Sequence, residues 1–82
     1  MAETRKQFLE DMDERLASSP QYARFVPART VNCAAIAYVL GIDSRQVPKL
    51  MSGYRAHPIG KSTHYDKNDV WDAWRKDGVL TA

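Results

Sequence analysis

The chain has 82 residues, of which 44% are hydrophobic and 27% charged, and its formal net charge is +2. This composition excludes a disordered tail, and the length favours one domain with one modest core. Because no apolar run could span a bilayer and no signal-peptide pattern is present, we expect a cytoplasmic protein without membrane contacts.

Charge is unevenly distributed along the chain. Residues 1–30 carry five Lys or Arg and five Asp or Glu, whereas the segment from Ser44 to Tyr65 carries four Lys or Arg and no acid. An acid-free cationic segment is typical of a surface that faces a polyanion, although a solvated loop can acquire the same pattern by chance. Cys33 is the only cysteine, and its alanine neighbours favour a small core residue over a nucleophile.

The first predicted element is an amphipathic helix over residues 4–17. Phe8, Met12 and Leu16 recur every four residues and form its apolar stripe. Ser19 is a candidate cap for a short turn that Pro20 would begin, followed by a connection in which aromatic residues pack on the core. Residues 1–30 are therefore predicted to be an accessory helix and a packed connection, and residues 31–82 the main part of one compact domain.

Two further helices are predicted in the middle of the chain. Asn32 is a good N-cap for a helix from Cys33 to Leu40, and Gly41 suits a left-handed C-terminal cap. The next helix is expected to begin at Asp43 or Ser44 and to end near residue 53. Pro48 is tolerated only in the first turn, so this helix should be short.

A hairpin and a last helix complete the prediction. His57–Ile59 and His64-Tyr65 are candidate strands around a polar loop of residues 60–63, although an irregular loop fits almost as well. Asp66 is a plausible N-cap, with Asp69 completing a capping box. Gly78 suits the end of that helix, with residue 79 or 80 folding back onto it. The fold class is thus mainly α with a small β-hairpin.

The spacing of the two central helices is that of a helix-turn-helix, with residues 41–43 as the turn. In such a motif the second helix presents polar side chains to base edges in the major groove, where Arg pairs with guanine and Gln with adenine. Basic residues of the hairpin would contact the DNA backbone. The predicted DNA-binding residues are Ser44, Arg45, Gln46, Lys49, Ser52, Arg55, Lys61, Ser62, Thr63 and His64.

Residues 31–74 carry a series of short motifs: Val31-Asn32, Ile36-Ala37-x-x-Leu40-Gly41, Ser44-Arg45-x-Val47-x-x-Leu50, Pro58-x-Gly60 and Tyr65-x-x-x-Asp69-Val70-x-x-Trp74. In these the chain resembles the excisionase-like and MerR-like winged helix-turn-helix group of small phage and mobile-element DNA-binding proteins. The resemblance implies a winged helix-turn-helix with an extra N-terminal helix. It also implies a role in excisive recombination or transcriptional regulation, with a terminase DNA-binding domain as a third relative. Pro48 departs from the pattern, as does the absence of a long C-terminal coiled coil.

Other classes of function are less well supported by the sequence. Gly60-Lys61-Ser62-Thr63 is similar to the end of a phosphate-binding loop, but position 55, where that loop requires glycine, holds arginine. His57 and His64 lack the further ligands of a standard metal site. No nucleophile is placed against a base, so we expect no enzyme activity, no metal and no cofactor.

The expected partner is double-stranded DNA, to which the protein would bind in the nucleoid. A second copy of the chain, an integrase or another phage protein are further candidates. The alternative is a protein-interaction module that uses the same scaffold through its N-terminal helix or through Tyr22 and Phe25.

Overall fold

In a computed structural model, which describes residues 4–78 except the side chains of residues 77 and 78, the first helix is α1 (Arg5–Ala17). The side chain of Thr4 caps it by accepting a hydrogen bond from the backbone N–H of Gln7. Phe8, Met12 and Leu16 are all buried, which confirms the predicted apolar stripe.

A second helix, α2 (Cys33–Leu40), follows a short 3-10 turn at Ala23–Phe25 and a short strand, β1 (Thr30–Asn32). Asn32 caps α2 through its side-chain oxygen, which accepts from the backbone N–H of Ala35 at 2.8 Å. Gly41 ends the helix with a left-handed φ of 71°. These observations confirm both predicted caps. The caps could be predicted from the sequence because each depends only on neighbouring residues.

The next elements are a 3-10 turn (Ser44–Gln46), a short helix α3 (Val47–Leu50), and the strands β2 (His57–Ile59) and β3 (Ser62–Asp66). They lead into α4 (Lys67–Ala73), which Asp66 caps, and a final π-helical turn (Trp74–Gly78). The three strands form an antiparallel sheet in the order β1-β3-β2, so β3 is the central strand.

One hydrophobic core joins the N-terminal helix to the rest of the chain. Its largest fully buried side chains come from α1, β1, α2, α3 and α4, and from the residue after α3: Met12, Leu16, Val31, Ile36, Val47, Met51 and Val70. The rings of Phe8 on α1 and Trp71 on α4 lie with their centroids 5.2 Å apart. The accessory helix and residues beyond 30 therefore share the core.

Several predicted boundaries differ in the structure. The helix expected at residues 43–53 is a 3-10 turn followed by a four-residue α-helix, and strand β1 was not predicted. In the N-terminal connection a turn does begin at Pro20, where the Ser19 carbonyl accepts from the backbone N–H groups of Tyr22 and Ala23, and an unpredicted 3-10 turn at Ala23–Phe25 follows it. The Asp66 carboxylate accepts from the N–H of Asn68, and no capping box with Asp69 is formed in the described part of the chain. The predicted fold-back of residues 79–80 lies outside the described residues.

Candidate nucleic-acid interface

The cations of the acid-free segment all lie on exposed positions of consecutive elements. Arg45 is in the 3-10 turn, Lys49 on α3, Arg55 between α3 and β2, and Lys61 at the tip of the hairpin. We call these four residues the cationic edge. Within residues 4–76, whose side chains are described, Lys49, Arg55 and Lys61 make no ion pair.

The turn that carries Arg45 is fixed by a capping box. The Asp43 carboxylate accepts from the backbone N–H of Arg45 at 2.8 Å, while Gln46 Oε1 accepts from the backbone N–H of Asp43 at 3.2 Å. Pro48 occupies the first turn of α3, where its missing N–H costs no helical hydrogen bond. Local sequence thus produces a short, rigid segment with its polar side chains outward.

The Arg45 guanidinium is bonded to Asp43 on one side. Asp43 Oδ1 accepts from Nε at 3.2 Å and Oδ2 accepts from Nη2 at 3.0 Å, although the Arg45 side chain remains 89% exposed. These hydrogen bonds hold the pKa of the Asp43 carboxyl below its usual value and raise the pKa of Arg45. Both groups are therefore charged at neutral pH.

Gln46 is exposed, and its side chain also has a structural contact that was not predicted. A glutamine recognises adenine through its amide oxygen and its amide nitrogen together. Here the oxygen completes the capping box with Asp43. Binding adenine in this way would break the cap, so the predicted DNA contact of Gln46 competes with its hydrogen bond in the turn.

The hairpin is shorter at its tip than predicted. Ile59 pairs with Ser62, which leaves Gly60 and Lys61 as a two-residue turn, and Gly60 has a left-handed φ of 61°. Ser62 and Thr63 belong to β3 rather than to a loop, but both are exposed. Ser44 and Ser52 are also exposed. All of these residues are accessible to a ligand.

His64 does not fit the predicted DNA contact. It lies on the central strand, only 9% exposed, with its ring 5.8 Å from that of Phe25. Its Nδ1 atom is buried without a hydrogen-bond partner among the described residues. Phe25, from the N-terminal connection, packs against this ring, which the sequence of the hairpin alone could not indicate.

Two polar contacts beyond the cationic edge were not predicted. Lys67 Nζ, on a side chain 11% exposed, donates to Asp13 Oδ1 at 2.8 Å and to the carbonyl of Val26 at 2.9 Å. Tyr54 donates its hydroxyl to Asp72 Oδ2 at 2.6 Å and thereby connects the segment after α3 to α4. Each contact joins residues far apart in the chain.

The described residues do not form a reactive thiol site, a metal site or a membrane-spanning helix. Burial raises the pKa of the Cys33 thiol, which disfavours its reactive thiolate form. Among the described residues, no cluster of three His, Cys, Asp or Glu side chains is placed to hold a metal ion. No helix in this part of the chain has the length and hydrophobicity needed to cross a bilayer.

Comparison with known proteins gives no relative from which a function could be transferred. No family model matches the chain, and neither a curated protein nor a solved structure shows significant similarity to it. The geometry of the chain itself therefore carries the functional argument.

Proposed function

We propose that the protein binds double-stranded DNA. In this proposal α2 and residues 44–50 form a helix-turn-helix, and the β2–β3 hairpin is a wing. The observation that carries it is the cationic edge, where three exposed cations have no carboxylate partner among the described residues. Unpaired cations on a protein whose net charge is only +2 are suited to phosphate contacts, which supply a large share of the affinity of DNA-binding proteins.

The size of the molecule also supports this proposal. Its extents are 34 × 25 × 19 Å, so one copy could cover about one turn of B-DNA, which is roughly 34 Å long. In this arrangement Arg45 and Lys49 reach into the major groove, and Arg55 and Lys61 contact the backbone. Control of recombination or of transcription, which the family resemblance suggested, would be the biological role.

The experiment measures binding to mixed-sequence duplex DNA at roughly 50 and 200 mM salt. We expect the double variant Arg55→Ala/Lys61→Ala to bind all duplexes more weakly and to lower the slope of log affinity against log salt by about 1.8, or ~0.9 for each lost contact. The control is Arg5→Ala/Lys6→Ala, which removes the same charge from exposed positions of α1. Equal effects of the two double variants would refute the cationic edge as the interface.

A second candidate function is suggested by a groove between α1, α2 and the final turn. A groove of about 220 Å³ is lined by Phe8, Asp11, Met12, Arg15, Val39, Leu40 and Trp74. It would suit an apolar side chain of a protein partner, as the alternative of an interaction module requires. Phe25, by contrast, is buried and is not accessible to a partner. Failure to bind any duplex, with salt-insensitive binding to a protein, would favour this candidate.

A further inference from the structure

The pairing of Asp43 with Arg45 leaves one edge of the guanidinium open. A guanidinium has five N–H donors, and the carboxylate takes the one on Nε and one on Nη2. The remaining donors include a parallel pair, one on Nη1 and one on Nη2. Two parallel donors of this kind can bind O6 and N7 of guanine in the major groove.

We propose that Asp43 is a positioning residue that holds this open edge of Arg45 toward a guanine base. The proposal rests on the proposed DNA-binding function and specifies its target: a G·C base pair read in the major groove. An arginine whose side chain is held in advance loses less conformational freedom on binding than a mobile one, and this difference strengthens the preference for the correct base.

Asp43 is suited to this role because it is itself fixed. An isolated surface ion pair contributes little, partly because two mobile side chains must be ordered to form it. The Asp43 carboxylate is already held by the backbone N–H of Arg45, and the Asp43 backbone N–H is held by Gln46. Only the arginine side chain then has to be ordered. Lys49, on the adjacent helix, has no such carboxylate among the described residues and is better suited to phosphate.

A competing explanation makes the opposite prediction. If Asp43 serves only as a cap, its negative charge near the DNA backbone is unfavourable, and its removal should strengthen binding to every sequence. If Asp43 positions Arg45, its removal should weaken the preference for one base pair. Serine separates the two roles, because it caps a helix about as well as aspartate but has no carboxylate to bind the guanidinium.

The test selects preferred duplexes from a randomised DNA pool with the wild-type protein and then compares Asp43→Ser, Arg45→Ala and the double variant. We expect Arg45→Ala to lose roughly 5- to 150-fold of the preference for one G·C pair, the range of a bidentate arginine–guanine contact. Asp43→Ser should lose part of that preference at the same pair, and the double variant should be no worse than Arg45→Ala. Replacing the guanine by 7-deazaguanine should weaken the wild type more than Asp43→Ser.

Thermal unfolding followed by circular dichroism checks that the variants fold. Asp43→Asn, which also caps but lacks the charge, is the second variant if Asp43→Ser is unstable. Unchanged base preference in a folded Asp43 variant, or a uniform gain of affinity, would overturn the positioning role while leaving the DNA-binding proposal intact. Absence of duplex binding by the wild-type protein would overturn both.

Discussion

Lys67 and Lys61 lie six positions apart, yet they differ in burial and in ion pairing. Lys67 reaches from the start of α4 to α1 and to the end of the 3-10 turn, where the Asp13 carboxylate and the Val26 carbonyl bind its ammonium group. Lys61 lies at the exposed hairpin tip without an ion pair among the described residues. The packed region around α1 and α4 therefore uses charge to hold the fold, whereas the cationic edge leaves charge available for a ligand. Substitutions should separate stability from binding along this division.

The largest expected effect is on stability, from the core of the packed region. Leu16 is fully buried on α1, so Leu16→Ala should lower the free energy of unfolding by about 3 kcal/mol, because it removes buried methyl groups and leaves a cavity. Leu9→Ala, on a half-buried position of the same helix, is the control and should cost less. Urea denaturation measures both. Equal losses would show that α1 is not anchored through the Phe8, Met12 and Leu16 stripe.

The comparison of the two lysines can be tested directly. Lys67→Ala should lower the free energy of unfolding by about 2 kcal/mol, because it removes two partly buried hydrogen bonds of a charged donor and leaves the Val26 carbonyl without this partner. Lys61→Ala should change it by less than about 0.5 kcal/mol, as is usual for surface positions. For affinity to duplex DNA we expect the opposite order. Lys61→Ala should weaken binding, whereas folded Lys67→Ala should bind like the wild type. Similar effects of both variants on stability would contradict the division into two regions.

The sequence predicted those parts of the fold that depend on neighbouring residues. The helix caps at Asn32 and Gly41 and the apolar stripe of α1 follow from local geometry and were confirmed. Strand β1 was missed because an alternation over only three residues is too short to indicate a strand, and these residues become one only by pairing with β3. The buried position of Lys67 depends on Asp13, which is 54 residues away, and no local pattern indicates it.

The predicted site shows the same difference between local features, which the sequence indicates, and side-chain contacts, which it does not. The exposed positions of the cationic edge follow from a local excess of polar residues, and they are exposed in the structure. The side-chain partners were not foreseen: Gln46 is engaged in a cap, Arg45 is bonded to Asp43, and His64 is covered by Phe25. Composition predicts which residues are polar, whereas their partners depend on turn geometry and on tertiary packing.

A smaller effect is expected at His64, which the sequence assigned to the DNA surface and the structure buries in the packed region. His64→Leu replaces a ring whose Nδ1 has no partner among the described residues. The free energy of unfolding should stay the same or rise by up to about 1 kcal/mol, because an unsatisfied buried polar atom is removed. Affinity for duplex DNA should equal that of the wild type. A loss of affinity in the folded His64→Leu variant would restore His64 to the interface.

The stability contributed by the Asp72 carboxylate on α4 should depend on pH. The Tyr54 hydroxyl, with Arg75 and Lys76, lowers the pKa of Asp72 to about 2, whereas an unperturbed aspartate has a pKa of about 3.9. A carboxylate with a lowered pKa stabilises the fold above the unfolded-state value, and this stabilisation is lost as pH falls from about 4 to about 2. Asp72→Asn should therefore be less stable than the wild type at neutral pH, and the difference should shrink across that window. Parallel pH profiles for the wild type and Asp72→Asn would show that the lowered pKa of Asp72 contributes nothing to stability.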